Sequence, residues 1–279
     1  MRLVTVRSAT GPVAAVERPQ GRFAVVRKDG RAYRDVGELL QNEPGWHRDA
    51  KAATQKLPDD LPLLRPILDP GAVVCVGLNY RKHVLEMGRE LPSVPTYFAK
   101  LTRALADPNT SIALPADSEK VDYEGEFTVV IGRGGRNIAA SEAWDAVAGL
   151  TLLNDVSMRD FQRRSLQWFA GKNWEGCTPV GPAVVTPDQL PNLAAREIVT
   201  RVQGEVRQQS PLADLIFDVP ALVSDLSRII RLRPGDLIAT GTPGGVGDAM
   251  KPPGYLKHGD VVEISIEGIG TLRNTFERT

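Results

Sequence analysis

The sequence predicts an α+β protein in which strands dominate, with a small N-terminal α+β domain and a larger sheet-rich domain. The chain contains 26 Gly and 21 Pro among its 279 residues, well above their average share of roughly 12 %. This excess favours many tight turns between short strands. Apolar residues make up 42 % and charged residues 24 %, which is ordinary for a globular chain with a sizeable core.

Charge and cysteine content exclude several classes of protein. The 34 Lys and Arg balance 34 Asp and Glu, so no overall field attracts nucleic acid or acidic membranes. Residues 1–10 lack an apolar signal core, and no run of about 18 apolar residues occurs. Cys75 and Cys177 have no neighbouring Cys or His partner, which excludes a disulfide framework or zinc site. We therefore expect a cytoplasmic protein that binds neither nucleic acid nor a membrane.

The first 56 residues predict the N-terminal domain, because short β-like alternations precede one short helical pattern. Its expected strands and helix are Leu3–Val6, Val13–Val16, Phe23–Val26 and then Val36–Gln41. Residues 57–70 are predicted to be a linker, since a proline recurs at every fourth position and each one removes a backbone donor.

Residues 71–279 predict the larger domain, where the strands become strongly apolar. The expected strands are Ala72–Val76, Phe127–Ile131, Leu150–Leu153, Leu237–Thr240 and Val261–Ile266, and the tail to Phe276 adds a second strand after a turn at Gly268–Gly270. The expected helices are Tyr80–Met87, Ser141–Val147, Ser157–Ser165 and Val219–Ile230. Asp218 is the expected N-cap of the last helix.

Three carboxylates form the first candidate site. Glu124 and Glu126 lead into an apolar strand, where residues two apart share a face at about 6.6 Å. Asp155 follows the next apolar strand, and the helix after it has its own predicted capping box in Ser157 and Asp160. Carboxylates favour Mg²⁺, Mn²⁺ or Ca²⁺. A solvated strand face and a local turn are the alternative interpretations.

His83 and Glu86 form the second candidate site. On a helix these residues lie one turn apart, so the carboxylate could orient the imidazole and make it a better base. A surface ion pair is the alternative. Gly88, Pro92 and Pro95 follow, which suggests a mobile lid.

Further polar residues could face the same site. Lys172 could neutralise a substrate carboxylate, and the backbone amides of the glycine-rich segment 240–247 could form an anion-binding nest. Arg159 and Gln162 share one face of the helix predicted after Asp155, so both could reach the same site. Ordinary surface roles are the alternatives. No dinucleotide fingerprint, P-loop or G-x-S-x-G elbow occurs, which disfavours nucleotide-cofactor chemistry and covalent hydrolysis.

Taken together, these strings resemble the fumarylacetoacetate hydrolase family over about two hundred residues. The matching strings occur in the same order as in the family. They are Gly77–Tyr80 with His83 and Glu86, Phe98 and Lys100, Asp122–Glu126 leading into Val129–Gly132, Asn154–Ser157, Arg159, Asp160, Gln162, Gly171–Lys172, Gly181–Pro182 and Thr240–Gly247.

The resemblance implies a mixed β-sheet fold described as a β-roll, a smaller N-terminal domain and a homodimer. It implies a divalent cation, Mg²⁺ or Mn²⁺ with Ca²⁺ as a further candidate, held by Glu124, Glu126 and Asp155. His83 and Glu86 match the acid/base pair on the lid, and Lys172 completes the implied catalytic set. The implied substrate-binding residues are Arg159, Gln162, Tyr80, Lys100 and Thr242.

Family members act on short 2-oxo and β-diketo acids, which leaves the reaction open. We expect an acylpyruvate-type hydrolase, acting on a fumarylpyruvate- or fumarylacetoacetate-like substrate. The chelated cation would make a pyruvate enolate a tolerable leaving group, and His83 oriented by Glu86 would activate water. The alternatives are an oxaloacetate decarboxylase and a hydratase or isomerase of 2-oxo-dienoic diacids in aromatic catabolism. A non-catalytic sensor is disfavoured, because binding alone requires no base.

Overall fold

A computed structural model describes residues 1–27, 29–42, 45–86, 88 and 90–278. It confirms a mostly β, α+β fold. The N-terminal elements, in chain order, are β1 Arg2–Ser8, β2 Gly11–Arg18, β3 Gly21–Ala24, α1 Val36–Gln41, α2 Trp46–Ala52, β4 Gln55–Lys56 and β5 Leu63–Leu64.

The remaining elements alternate strands with short helices. They are β6 Val73–Gly77, α3 Arg81–Glu86, β7 Thr96–Ala99, β8 Leu105–Ala106, β9 Ser111–Leu114, β10 Val121–Asp122, β11 Gly125–Ile131, α4 Ala143–Ala146, β12 Val147–Asn154, β13 Ser157–Met158, α5 Arg159–Gln162, α6 Phe169–Lys172, β14 Thr178–Val185, β15 Glu197–Val202, β16 Glu205–Pro211, α7 Val219–Ile229, β17 Leu237–Ala239, β18 Val261–Ile266 and β19 Gly270–Arg278.

A large mixed sheet forms the centre of the molecule. Within the described residues its strand order is β4-β3-β2-β1-β14-β12-β11-β17-β6-β7, with β5 paired to β1 and β8 paired to β14. A second sheet has the order β16-β15-β18-β19-β9, and β10 pairs with β13. The strands of the first 56 residues thus extend the same sheet as the strands that follow, through antiparallel pairing of β1 with β14.

Apolar residues cover both faces of the large sheet. On one face Phe127 and Leu152 belong to a core that also contains Ile264 and Phe276 of the second sheet. On the other face Leu153 belongs to a separate core that includes side chains of α1 and α2. Strands β11, β12 and β14 are buried along their whole length. Mostly apolar side chains therefore point to both faces of these strands, instead of alternating with polar ones.

Several predicted elements are confirmed. The helix over Val36–Gln41 forms with the predicted bounds. The predicted helix from Val219 forms as α7, and the Asp218 carboxylate caps it by accepting a hydrogen bond from Ala221 N at 2.9 Å. The two C-terminal strands also form, as β18 and β19. The helix predicted over Tyr80–Met87 forms as α3, and Met87 lies outside the described residues.

The predicted helix from Ser157 is wrong at its start. Ser157 lies in β13, opposite Asp122 of β10, and its hydroxyl donates to the Asp155 carbonyl. The helix begins only at Arg159 and has Met158 at its N-cap. Pairing with β10 therefore replaces the predicted capping box. Helix α2, strand β14 and the β15–β16 hairpin were not predicted. No helix of the described residues is long and apolar enough to cross a membrane.

We expect Leu152→Ala to lower the free energy of unfolding by about 2–5 kcal/mol, because the truncation leaves a cavity between two sheets. Leu152 is fully buried in β12. Urea denaturation would measure the change. Leu166→Ala is the matched control, since Leu166 is 98 % exposed and its truncation should change stability by less than about 0.5 kcal/mol. Equal midpoints for the two variants would contradict this account of the core.

Candidate active site

The strand register brings the three predicted carboxylates together. Strands β11 and β12 pair antiparallel with Gly125 opposite Asn154, so the residue before β11 lies beside the residue after β12. Accordingly, Asp155 N donates to the Glu124 carbonyl at 2.9 Å. One carboxylate oxygen from each of Glu124, Glu126 and Asp155 lies within 4.8 Å of the others, and all three residues are buried.

Two glycines permit close packing of the backbone around the cluster. A Cβ at Gly125, between the two glutamates, would lie 2.2 Å from the Thr200 hydroxyl of the second sheet. Gly241 has a φ of +99° and donates its N–H to Glu126 at 2.9 Å. A side chain there would be strained and would meet the Val76 carbonyl.

Two buried lysines neutralise part of the cluster. Lys172 Nζ donates to Glu124 at 2.9 Å and to Asp155 at 2.6 Å, and it lies 5.2 Å from the centre of the Phe98 ring. Lys100 Nζ donates to the other oxygen of Asp155. Glu124 and Asp155 therefore have lysine partners, whereas Glu126 accepts its hydrogen bond from a backbone amide.

Arg159 connects Glu124 to another buried carboxylate, Asp122. Its guanidinium donates to Asp122 from Nε at 2.8 Å and reaches Glu124 with Nη1 at 2.6 Å. Asp122 also accepts from the backbone N–H groups of Gly247 at 2.7 Å and Asp248 at 3.0 Å. Asp122 thus ties the glycine-rich loop to the arginine that holds Glu124.

The pKa shifts follow from burial and from these neighbours. Burial raises the pKa of Glu126 well above its ordinary value, and the charges of Asp155 and Glu124 raise it further. Burial acts in the same direction on Asp155, but Lys100 and Lys172 outweigh it and lower the pKa of that carboxyl. Burial alone would lower the pKa of Lys172, yet Asp155 and Glu124 raise it, so the amine stays protonated.

The cluster fits a hard divalent cation. Its donors are carboxylate oxygens from three residues, which Mg²⁺, Mn²⁺ and Ca²⁺ prefer. Glu126 is the member whose ionised form most lacks a cationic partner, and a bound cation would supply one.

A cavity of about 460 Å³ opens onto the cluster. Glu124, Glu126 and the predicted residues His83, Arg159, Gln162, Lys172 and Thr242 line it. Tyr80 and Lys100 are not among the described lining residues: Tyr80 is fully buried, and Lys100 lies behind Asp155. In this arrangement Lys100 holds a carboxylate of the cluster instead of facing a substrate.

The predicted His83–Glu86 pair is described only in part. His83 is half-buried on α3 and lines the cavity. Glu86 ends this helix, but its side chain lies outside the described part of the chain. The pairing and the lid therefore stay predictions.

The backbone N–H groups of the glycine-rich loop donate hydrogen bonds to carboxylate side chains of the protein itself. The N–H groups predicted to form a nest include those of Gly241 and Gly247, which donate to Glu126 and Asp122. Thr242 Oγ1 donates to the Gly125 carbonyl at 3.0 Å and accepts from Gln208 at 2.8 Å. The loop therefore positions the carboxylate cluster.

Sequence reasoning missed several residues of the cavity. Arg163, Trp168 and Asp248 also line it, and Trp168 meets Phe98 edge to face at 5.4 Å. Arg163 follows Arg159 by four residues, a spacing that could have indicated a shared helix face. Trp168 has no such local signal.

The fold and site together define a sheet-rich protein with a buried acidic centre suited to a divalent cation, in a cavity sized for a small molecule. Comparison with known proteins identifies the family. The family model described as fumarylacetoacetate (FAA) hydrolase C-terminal matches residues 72–277. The chain therefore belongs to the fumarylacetoacetate hydrolase family, as its sequence motifs indicate.

Curated relatives and solved structures agree with this family. The chain is 41 % identical to mitochondrial oxaloacetate tautomerase FAHD2A of Bos taurus, over 85 % of this chain and 77 % of the relative. It is 39 % identical to oxaloacetate tautomerase YisK of Bacillus subtilis strain 168, over 77 % of this chain and 73 % of the relative. The structure of a fumarylacetoacetate hydrolase from Exiguobacterium antarcticum matches with a TM-score of 0.89 and 36 % identity, over the whole of both chains.

We expect Asp155→Asn to weaken Mn²⁺ binding at least tenfold, about 1.4 kcal/mol, because an uncharged amide replaces a ligand carboxylate. Isothermal titration calorimetry measures the change. Asp117→Asn is the matched control, since Asp117 is exposed, and it should bind Mn²⁺ like the wild type. An unchanged titration for Asp155→Asn would remove the proposed metal site.

Proposed function

We propose that this protein is a divalent-cation-dependent enzyme that interconverts the keto and enol forms of oxaloacetate. The observation that carries the proposal is the buried cluster of Glu124, Glu126 and Asp155 opening into a cavity that also contains His83. Relatives named oxaloacetate tautomerases, from a mammal and a bacterium, support the choice of substrate.

Glu124, Glu126 and Asp155 would hold the cation. When bound, a divalent cation polarises a 2-oxo acid and acidifies the neighbouring carbon. Lys172 is a protonated amine that lines the cavity, so it can donate a hydrogen bond to a substrate oxygen on which negative charge develops.

Tautomerisation requires a proton to leave carbon 3 and a proton to reach the oxygen of carbon 2. We assign the acceptor role to the His83 imidazole, which lines the same cavity and is the side-chain type best suited to exchange protons near neutral pH. The imidazole then gives a proton to the oxygen of carbon 2, so no net proton or water molecule is consumed and substrate and product are isomers.

Glu126→Gln should lose oxaloacetate tautomerisation, because an uncharged amide replaces one of the three carboxylates that would hold the cation. The ultraviolet absorbance of the enol, followed with Mg²⁺ or Mn²⁺, measures the rate. The matched control is Glu119→Gln, at an exposed glutamate, which should tautomerise oxaloacetate at the wild-type rate. Loss of activity in both variants, or in neither, would count against the assigned site.

Hydrolysis of an acylpyruvate is a second candidate function. The same position of His83 in the cavity would allow it to activate water against a distal carbonyl. The solved relative named fumarylacetoacetate hydrolase supports this alternative. Parallel assays of the wild-type protein on oxaloacetate and on an acylpyruvate decide between the two reactions.

His83→Ala should reduce tautomerisation by roughly 10²- to 10⁴-fold, the usual scale for a positioned general base. Acylpyruvate hydrolysis, if present, should fall by a similar factor. Any decarboxylation of oxaloacetate should fall much less, because loss of CO₂ requires no base. His258→Ala is the matched control, since His258 accepts a hydrogen bond from Arg278 N on the surface. Wild-type tautomerisation by His83→Ala would show that His83 is not the proton acceptor.

A further inference from the structure

We infer that Arg163 selects dicarboxylic 2-oxo acids by binding the substrate carboxylate distal to the 2-oxo group. In this inference, which rests on the proposed function, Arg163 exchanges its present partner Asp248 for the substrate. Both residues line the cavity, and their side chains form an ion pair.

Helix geometry places Arg163 on the same side of the site as Arg159. Arg163 N donates to the Arg159 carbonyl at 3.2 Å, so the two side chains lie one helical turn apart on a shared face. Arg159 is buried and touches Glu124. The Arg163 side chain is 59 % exposed, so it lies at the rim of the same cavity.

The positively charged side chains that line the cavity differ in the partners that they already have. Arg159 and Lys172 both hold Glu124, so they are committed to the buried cluster. Arg163 instead pairs with Asp248, and an ion pair with a largely exposed member contributes little to stability. The guanidinium of Arg163 can therefore change partners at small cost, and its planar fork suits a carboxylate.

Asp248 keeps other partners after such an exchange. Tyr255 donates its hydroxyl to Asp248 at 2.6 Å. The vacated carboxylate is thus still hydrogen-bonded.

The ends of a diacid match these two places in the cavity. The carboxylate and 2-oxo group of such a substrate form the end suited to the carboxylate cluster and its cation. A remaining carboxylate that extends away from the cluster would meet the rim of the cavity, where Arg163 lies. A monoacid of equal length presents a methyl group there and gains nothing from the arginine.

The test compares two stable ligands of equal carbon count, 2-oxoglutarate and 2-oxopentanoate, titrated by calorimetry into the Mn²⁺-loaded protein. The wild type should bind the diacid about 10- to 100-fold more tightly, the scale of a hydrogen-bonded charge pair. Arg163→Gln should abolish this preference and leave the affinity for 2-oxopentanoate unchanged. Arg164→Gln is the matched control, because Arg164 stacks on the Phe161 ring, and it should keep the preference.

Asp248→Asn separates recognition of the substrate from a structural role of the ion pair. This variant frees Arg163, so it should bind the diacid at least as tightly as the wild type. Equal loss of the preference in Arg163→Gln and Asp248→Asn would overturn the inference, as would equal binding of both ligands by the wild type or a retained preference in Arg163→Gln. The titration involves no turnover, so a failure to tautomerise oxaloacetate would overturn the proposed function and not this inference.

Discussion

Repulsion among three buried carboxylates is the constraint on which the rest of the site depends. Glu124, Glu126 and Asp155 lie within 4.8 Å of one another in a space largely closed to water, where like charges strongly oppose ionisation. Lys100 and Lys172 hold Asp155 ionised. These two lysines are thus required to keep Asp155 in the form that binds metal.

The carboxylate cluster could be predicted from the sequence because its members lie close to strand ends. Glu124 directly precedes β11, Glu126 is its second residue, and Asp155 directly follows β12. The role of Lys100 could not be found in this way, because it lies 55 residues from Asp155 in the chain. Only the folded sheet brings these two residues together, because Lys100 directly follows β7 and Asp155 directly follows β12.

The fold class was predictable, whereas some elements were hidden by their composition. Strand β14 contains Pro179 and Pro182, which cannot donate to a ladder, yet it joins β1 to β12 in the large sheet. An irregular register with β12 accommodates these prolines.

The homodimer and the cytoplasmic location stay predictions, because they depend on surfaces and surroundings beyond a single chain.

The junction between β1 and β14 limits how this chain can be divided. Although the proline-rich stretch 57–70 resembles a domain boundary, removal of the preceding strands would leave Val184 and Val185 of β14 without their partners in β1. Exposed strand edges of this kind recruit other chains and promote aggregation. The first strands therefore cover an edge of the sheet that also contains the candidate active site. A fragment beginning at residue 71 would be a poor choice for expression.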